Sequence, residues 1–147
     1  MTSILNTIAE YTVHRIAEAK KMTPLSEMKA RALSLNCRTG FPFEQALSTD
    51  EISFICECKK ASPSKGLIAP DFPYLSIARE YETAGASCIS VLTEPHWFLG
   101  ENRYLSEIAS NISIPCLRKD FVVDEYMIYE AKTLGASAVL LICSLLS

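Results

Sequence analysis

A glutamate and a lysine stand where an apolar run gives way to a polar loop. The run at residues 52–56 predicts a buried strand, and Glu57 and Lys59 follow it two residues apart. Side chains alternate along a strand, so both project from the same face. Ionisable groups are costly on an inward face unless they are paired or used in chemistry. The pair is therefore a candidate for catalysis, with a structural ion pair as the alternative.

Two later strand-like runs also end in polar or charged residues. These are Thr93 and Glu94 after residues 88–92, and Arg118, Lys119 and Asp120 after residues 114–117. The carboxyl ends of parallel strands meet at one mouth of a barrel, where barrel enzymes place their active sites. We therefore expect these residues to converge with Glu57 and Lys59, although Lys119 and Asp120 could instead form a solvated turn.

A polar loop follows the first strand and carries further positive charge. Residues 62–66 contain two serines, Pro63, Lys65 and a glycine, and could act as a lid or merely as a connection. The cations near the strand ends predict one local cluster that attracts anionic substrates; they are Lys59, Lys60, Lys65, Arg118 and Lys119.

Composition narrows the class of protein. The 147 residues are 49% hydrophobic, which suffices for the core of one ordinary domain. A net charge of −3 and a pI near 5.4 argue against nucleic-acid binding. No apolar stretch is long enough for a membrane span, and the N-terminus has no signal-peptide pattern, so we expect no membrane partner and a cytoplasmic protein.

Six cysteines raise the question of a disulfide or zinc site. Cys56 and Cys58 form a C-x-C pair, which lacks the spacing of a zinc knuckle and has no second pair to complete it. Cys88, Cys116 and Cys143 lie in or beside other apolar runs. We therefore expect reduced cysteines that pack as small hydrophobic residues, and no metal.

Strand and helix signals alternate along most of the chain. Residues 1–50 are interpreted as a helical extension, with helices at 4–21 and 25–35, Thr23 as the N-cap of the second, and a short helical piece near 43–47. Residues 51–147 alternate between strands at 52–58, 88–92, 114–117 and 138–143 and helices at 73–84, 102–110 and 124–134. Two similar stretches, at 84–92 and 134–142, repeat a helix-ending glycine before an apolar strand.

This alternation predicts the α/β class, with a parallel sheet covered by helices. No G-x-G-x-x-G follows the first strand, so a dinucleotide-binding sheet has no support. Polar residues at successive strand ends favour a TIM (β/α)8 barrel, which needs eight strands and typically about 250 residues. Four strands and three helices amount to half of such a barrel.

Four stretches, in order, resemble the indole-3-glycerol-phosphate synthase family. They are ECKKASPSKGLI at 57–68, SVLTEPHWFLG at 90–100, IPCLRKDF at 114–121 and GASAVLLI at 135–142. The resemblance covers the N-terminal half of the family's barrel together with its helical extension. A related isomerase barrel, which acts in the same biosynthetic pathway as this synthase family, is a weaker match because it lacks the Glu-x-Lys-x-x-Ser-Pro block.

The resemblance implies a lyase of tryptophan biosynthesis, with no metal or organic cofactor. Its substrate is an anionic sugar phosphate, 1-(2-carboxyphenylamino)-1-deoxyribulose 5-phosphate, which closes to indole-3-glycerol phosphate with loss of CO2 and water. By motif position, Lys119 is the general acid and Lys59 holds the substrate carboxylate and assists dehydration. Glu57 orients the lysines, and Ser62 and Phe98 line the substrate pocket. His96 and Trp97 are interpreted as residues of the rim.

Two positions depart from the family pattern. Ala61 stands where the family often has a basic residue and Leu99 where it often has a polar one, which bears on how the loop closes. The family's second half supplies a catalytic glutamate and the phosphate-binding loops, and the sequence ends as the loop after the fourth strand begins. One hypothesis is an enzyme segment that is inactive alone. The other is a non-catalytic half-barrel that associates with itself, as a homodimer or otherwise, through open sheet edges.

Overall fold

The computed structural model describes residues 3–146, which form a parallel sheet with helices packed against it. The helices are α1 (Ile4–Met22), α2 (Leu25–Ser34), α3 (Pro42–Leu47), α4 (Tyr74–Thr83), α5 (Asn102–Asn111) and α6 (Glu125–Thr133). The strands are β1 (Ile55–Cys58), β2 (Ala61–Ser62), β3 (Gly66–Leu67), β4 (Cys88–Leu92), β5 (Cys116–Lys119) and β6 (Ala138–Val139), and a 3-10 turn covers Cys143–Leu145. No helix in residues 3–146 is long and apolar enough to cross a bilayer.

The main sheet has the strand order β1-β4-β5-β6, with every neighbouring pair parallel. Glu57 is in register with Ser90, and Leu92 with Lys119, so these residues share one face of the sheet. The other face packs on the helices. Its core contains Cys58, Ile89, Val91 and Cys116 of the strands together with Ala78, Leu105 and Ile108 of α4 and α5.

A second core joins the N-terminal helices to the sheet. Ile16 of α1 and Met28 of α2 pack with Val122, Tyr126 and Met127 at the start of α6. Burying each such side chain contributes about 1.5–3 kcal/mol relative to leaving it exposed. The first two helices are therefore held beside the carboxyl end of β5, next to the residues that the sequence singled out.

The structure confirms the four predicted parallel strands but moves several of their ends. β1 begins at Ile55 rather than at residue 52, and Ile52 is exposed. β5 extends to Lys119, beyond the predicted end at 117, because Arg118 and Lys119 remain in parallel register with Val91 and Leu92 of β4. β6 ends at Val139 instead of residue 143, where the 3-10 turn has already begun.

The predicted helices are confirmed, with one local correction. Thr23 is not the N-cap of α2; that position is taken by Pro24, which makes no side-chain capping bond. The polar loop after β1 is also more regular than predicted, because Ala61 and Ser62 pair antiparallel with Leu67 and Gly66 in a small hairpin. The hairpin is bonded to the loop after β4 by the Ala61 N–H, which donates to the carbonyl of Phe98.

Three cysteines pack as small hydrophobic residues, as predicted. Cys58, Cys88 and Cys116 are buried, and burial raises the pKa of Cys58 and of Cys116 to about 12. The packing prediction is wrong for Cys143, which is exposed, and Cys37 is exposed as well. Cys143 lies in the 3-10 turn, not inside a strand, so the apolar run around it does not place it in the core.

Candidate active site

The carboxylate of Glu57 joins two lysines from different strands. Lys59 Nζ donates to Glu57 Oε1 at 2.8 Å, and Lys119 Nζ donates to Oε2 at 3.0 Å. Ser90 Oγ donates to the same Oε2 at 3.2 Å. The three ionic side chains are 27–35% exposed, so they are partly desolvated and still reachable. Of the strand-end residues that the sequence predicted to converge with Glu57 and Lys59, Lys119 does so.

The strand geometry explains this convergence. Glu57 and Lys59 are two residues apart at the end of β1, and Ser90 is in register with Glu57 on the neighbouring β4. Lys119 ends β5, one strand further along the sheet, and is in register with Leu92. Its long side chain reaches across β4 to Glu57, whose neighbour in register on β4 is the small Ser90.

The two lysines decide the ionisation of Glu57. Burial of the carboxyl acts to raise its pKa, but hydrogen bonds and positive charge from Lys59 and Lys119 outweigh burial and hold the pKa of Glu57 below its ordinary value. The carboxylate form is therefore favoured. It offsets the mutual repulsion of two ammonium groups that would otherwise share this site without compensation.

Ser62 and Phe98 border the space next to the lysines. An open groove of about 570 Å³ is lined by Lys59, Ser62, Pro63, Ser64, Lys65, Ile68 and Phe98. A small cavity of about 70 Å³ is lined by Lys119 and by Phe98 together with Leu92, Asp120, Phe121, Leu140 and Ile142. Phe98 thus forms a wall shared by both spaces, and a ligand seated against it would lie near both lysines. Ser62 Oγ itself accepts from the Lys65 N–H at 3.3 Å.

A groove of similar size lies elsewhere in the molecule. It has a volume of about 480 Å³ and is lined by residues of the α2–α3 connection and of the turn between α6 and β6. None of the predicted site residues borders it. This groove is a weaker candidate for chemistry because its lining does not include the ion-paired groups found at the carboxyl ends of β1 and β5.

Glu94 has a structural role that sequence reasoning missed. Its side chain is fully buried and accepts three backbone N–H bonds, from His96 at 2.9 Å, Trp97 at 2.7 Å and Phe98 at 3.0 Å. Gly100 closes the same loop, and a Cβ at that position would meet the Leu92 carbonyl oxygen at 2.4 Å. Glu94 therefore fixes the loop that presents Phe98, rather than joining the lysine cluster.

The prediction that Arg118 belongs to the cationic cluster is wrong. Its guanidinium is buried on the helix side of the sheet and donates to Glu130 Oε2 at 2.7 Å and to the Met127 carbonyl at 2.9 Å. Successive strand residues point to opposite faces, so Arg118 and Lys119 cannot both face the mouth. Lys59, Lys65 and Lys119 border the mouth as expected.

Asp120 is likewise turned away from the lysines. Its carboxylate accepts from Arg15 of α1 and from the hydroxyl of Thr93. Arg15 was not predicted, because only the folded chain brings α1 to the end of β5. His96 is exposed on the loop after β4, where its ring and that of Trp97 both lie 5.3 Å from the ring of Tyr11.

Comparison with known proteins assigns the family. The family model described as indole-3-glycerol phosphate synthase matches residues 5–147. The chain belongs to the indole-3-glycerol-phosphate synthase family. Its four parallel strands and their helices are half of the family's TIM barrel, as the sequence predicted.

Curated relatives agree with this assignment. The indole-3-glycerol phosphate synthase of Ruminiclostridium cellulolyticum is 53% identical over 143 residues, covering 97% of this chain and 55% of the relative. That of Endomicrobium trichonymphae is 55% identical over 145 residues, covering 98% and 56%. That of Lachnoclostridium phytofermentans is 46% identical over 155 residues, covering 98% and 57%. The chain thus spans about half the length of these synthases.

Replacing Glu94 should loosen the loop that carries Phe98. In Glu94→Gln an amide NH2 faces backbone donors that previously met a carboxylate oxygen, so we expect a loss of about 1–3 kcal/mol in the free energy of unfolding. Amide hydrogen exchange at residues 96–98 should accelerate more than exchange elsewhere. The exposed Glu80→Gln is the matched control and should change stability by less than about 0.5 kcal/mol. Unchanged exchange at residues 96–98 would rule out the anchoring role.

Proposed function

We propose that this chain provides the lysine half of an indole-3-glycerol-phosphate synthase active site, a carbon–carbon carboxy-lyase. The reaction is ring closure of 1-(2-carboxyphenylamino)-1-deoxyribulose 5-phosphate, with loss of CO2 and water, in tryptophan biosynthesis. The observation that carries the proposal is the pairing of Lys59 and Lys119 with one carboxylate at the mouth of the sheet. Family membership supplies the substrate class.

Ring closure requires a proton donor at the ketone. The aromatic carbon is a weak nucleophile, so its attack needs the carbonyl oxygen to be protonated as the new carbon–carbon bond forms. We assign this role to Lys119, whose ammonium is partly desolvated and has one protein carboxylate as its hydrogen-bond partner. The carbonyl oxygen becomes a hydroxyl, and the lysine is left as a neutral amine.

Lys59 is assigned to the substrate carboxylate and to the last step. An ammonium at this place would hold the carboxylate until the carbon–carbon bond breaks and CO2 departs. The hydroxyl formed in the first step must then leave as water, and we assign Lys59 to protonate it. The neighbouring ring carbon gives up its proton to solvent as the double bond of the indole forms. Glu57 binds both lysines and orients them before substrate arrives.

Ser62 and Phe98 are proposed to line the substrate pocket. Phe98 offers an apolar wall for the aromatic ring beside both lysines. Ser62 lies at the edge of the same groove, where its hydroxyl accepts one hydrogen bond and can still donate one to a ligand. In barrel enzymes the phosphate is usually bound after strands seven and eight. We therefore propose that the chain alone has no useful turnover. We also propose that residues 1–50 are the family's helical extension and that residues 51–147 are a half-barrel.

Turnover should appear when the remaining strands are supplied. We would join this chain to the part of the Ruminiclostridium relative that follows the matched stretch, and measure indole-3-glycerol phosphate formation against the chain alone. In this chimera Lys119→Met should lower kcat by about 10²–10⁴-fold, because a positioned acid contributes that much. Lys21→Met removes an exposed lysine of α1 and serves as the control. A chimera whose kcat survives Lys119→Met would contradict the assignment.

A second candidate role is self-association. Both outer strands of the main sheet, β1 and β6, have one unpaired edge within the described residues. Ile52, Phe54 and Ile55, before and at the start of β1, are 82%, 60% and 46% exposed. Two copies pairing edge to edge would make an eight-stranded closed sheet with two-fold symmetry and would cover these side chains.

Light scattering coupled to size-exclusion chromatography tests this second role. We expect the purified chain to elute with the mass of a dimer. Ile52→Lys should shift it toward monomer, because it places a charge in the proposed interface. Val13→Lys adds the same charge at an exposed aliphatic residue of α1 and should leave the mass unchanged. A monodisperse monomer at all concentrations would exclude self-association.

A further inference from the structure

We propose that Asp120, held by Arg15 and Arg118, is a positioning residue that fixes the direction of Lys119 toward Glu57. Its catalytic consequence rests on the function proposed above, but the geometric claim does not. Asp120 and Arg15 make no contact with Glu57, and Asp120 therefore acts through its neighbour in the chain.

The pleat of β5 sets the directions of the three charged side chains at its end. Arg118 and Lys119 end the strand and Asp120 follows it directly. Arg118 and Asp120 are turned to the helix side, where both are fully buried, while Lys119 lies between them on the inner face. Any rotation of the backbone that moved Lys119 would also move these two buried ionic groups.

Asp120 is bound from three elements. Arg15 Nη2 of α1 donates to Oδ1 at 2.8 Å, the backbone N–H of Phe121 donates to the same oxygen at 2.8 Å, and Thr93 Oγ1 after β4 donates to Oδ2 at 2.7 Å. Arg118 Nη2 adds a charge 3.6 Å from Oδ2. A buried carboxylate with this set of donors has little freedom to turn.

Arg118 extends the same network to the helices. Its Nε donates to Thr93 Oγ1 at 3.2 Å, and its Nη2 donates to Asn102 of α5 at 3.1 Å and to Glu130 of α6 at 2.7 Å. The network therefore connects the ends of β4 and β5 with α1, α5 and α6. Removing one partner from such a set leaves a buried charge uncompensated, so a shift of the strand end would cost free energy.

Arg15 shows that the contact is retained at a cost. Its Nε is buried and has no hydrogen-bond partner within residues 3–146. A surface arginine would keep that N–H in water, so this side chain loses hydration in order to reach Asp120. The pair thus couples helix α1 to the backbone next to Lys119.

A purely structural role would predict loss of stability alone, so the test must report on Lys119. We would follow the titration of the Glu57 carboxyl by 13C NMR in the chain itself. The charged groups facing Glu57 are Lys59 of its own strand and Lys119 of β5, and β4 contributes the uncharged Ser90. Asp120→Asn should release Lys119 and raise the Glu57 pKa by about 0.5–1 unit.

The control is Asp124→Asn. It removes another ion pair to α1, that with Lys20, and asparagine still serves as an N-cap for α6. We expect it to leave the titration of Glu57 unchanged. If Asp120→Asn does not fold, Arg15→Gln is the second variant, since Arg15 lies at the partly exposed end of the network. Arg15→Lys should recover part of the effect because it keeps a donor and the charge.

The titration is independent of turnover, so it separates this proposal from the proposed function. A Glu57 titration that does not move in Asp120→Asn or Arg15→Gln, whatever happens to the melting temperature, would overturn the positioning role. In the chimera the same variants should lower kcat by about tenfold or more with a smaller change in KM. Equal kcat values in the variants and the parent chimera would also overturn it, provided the parent is active.

Discussion

Arg118 and Lys119 finish strand β5 and Asp120 follows it directly. The pleat sends Lys119 to the inner face, while Arg118 and Asp120 turn toward the helices. Removing a guanidinium and a carboxylate from water costs several kcal/mol per group unless each is fully paired. Here Thr93, Asn102, Glu130, the Met127 carbonyl and Arg15 provide that pairing. These bonds tie α1, α5 and α6 to the end of β5. The proposed direction of Lys119 depends on the same two buried groups.

The ion pairs on the inner face of the sheet are weaker than those of the buried network. Glu57, Lys59 and Lys119 are about one-third exposed, so water and ions weaken their mutual attraction relative to the buried network. Such contacts hold the lysines in place and can still be exchanged for the anionic groups of a ligand. A rigid ionic layer beneath an adjustable one is an arrangement that suits a site where a proton donor must be placed and then used.

Much of this arrangement was predictable from local pattern, and the remainder required tertiary information. The period-two placement of Glu57 and Lys59 after an apolar run correctly indicated an inward pair, and the strand–helix alternation gave the four parallel strands. Hydrophobic pattern could not show that Arg118 belongs inside, since its burial depends on Asn102 and Glu130 on separate helices. It overextended β6 through Cys143 because apolar residues at an unpaired sheet edge look like strand without forming one. The roles of Glu94 and Arg15 depend on a loop closure and a helix docking that sequence spacing does not encode.

The most direct test of this account is the pKa of the Glu57 carboxyl in the unmodified chain, measured by 13C NMR. We expect a value below the ordinary 4.5, because two ammonium groups outweigh the effect of burial. A carboxyl whose folded pKa is lowered stabilises the fold at pH values above its unfolded pKa, and this contribution disappears as the pH falls through the folded value. A pKa at or above 4.5 would mean that Lys59 and Lys119 do not meet at Glu57, and the proposed site would lose its basis.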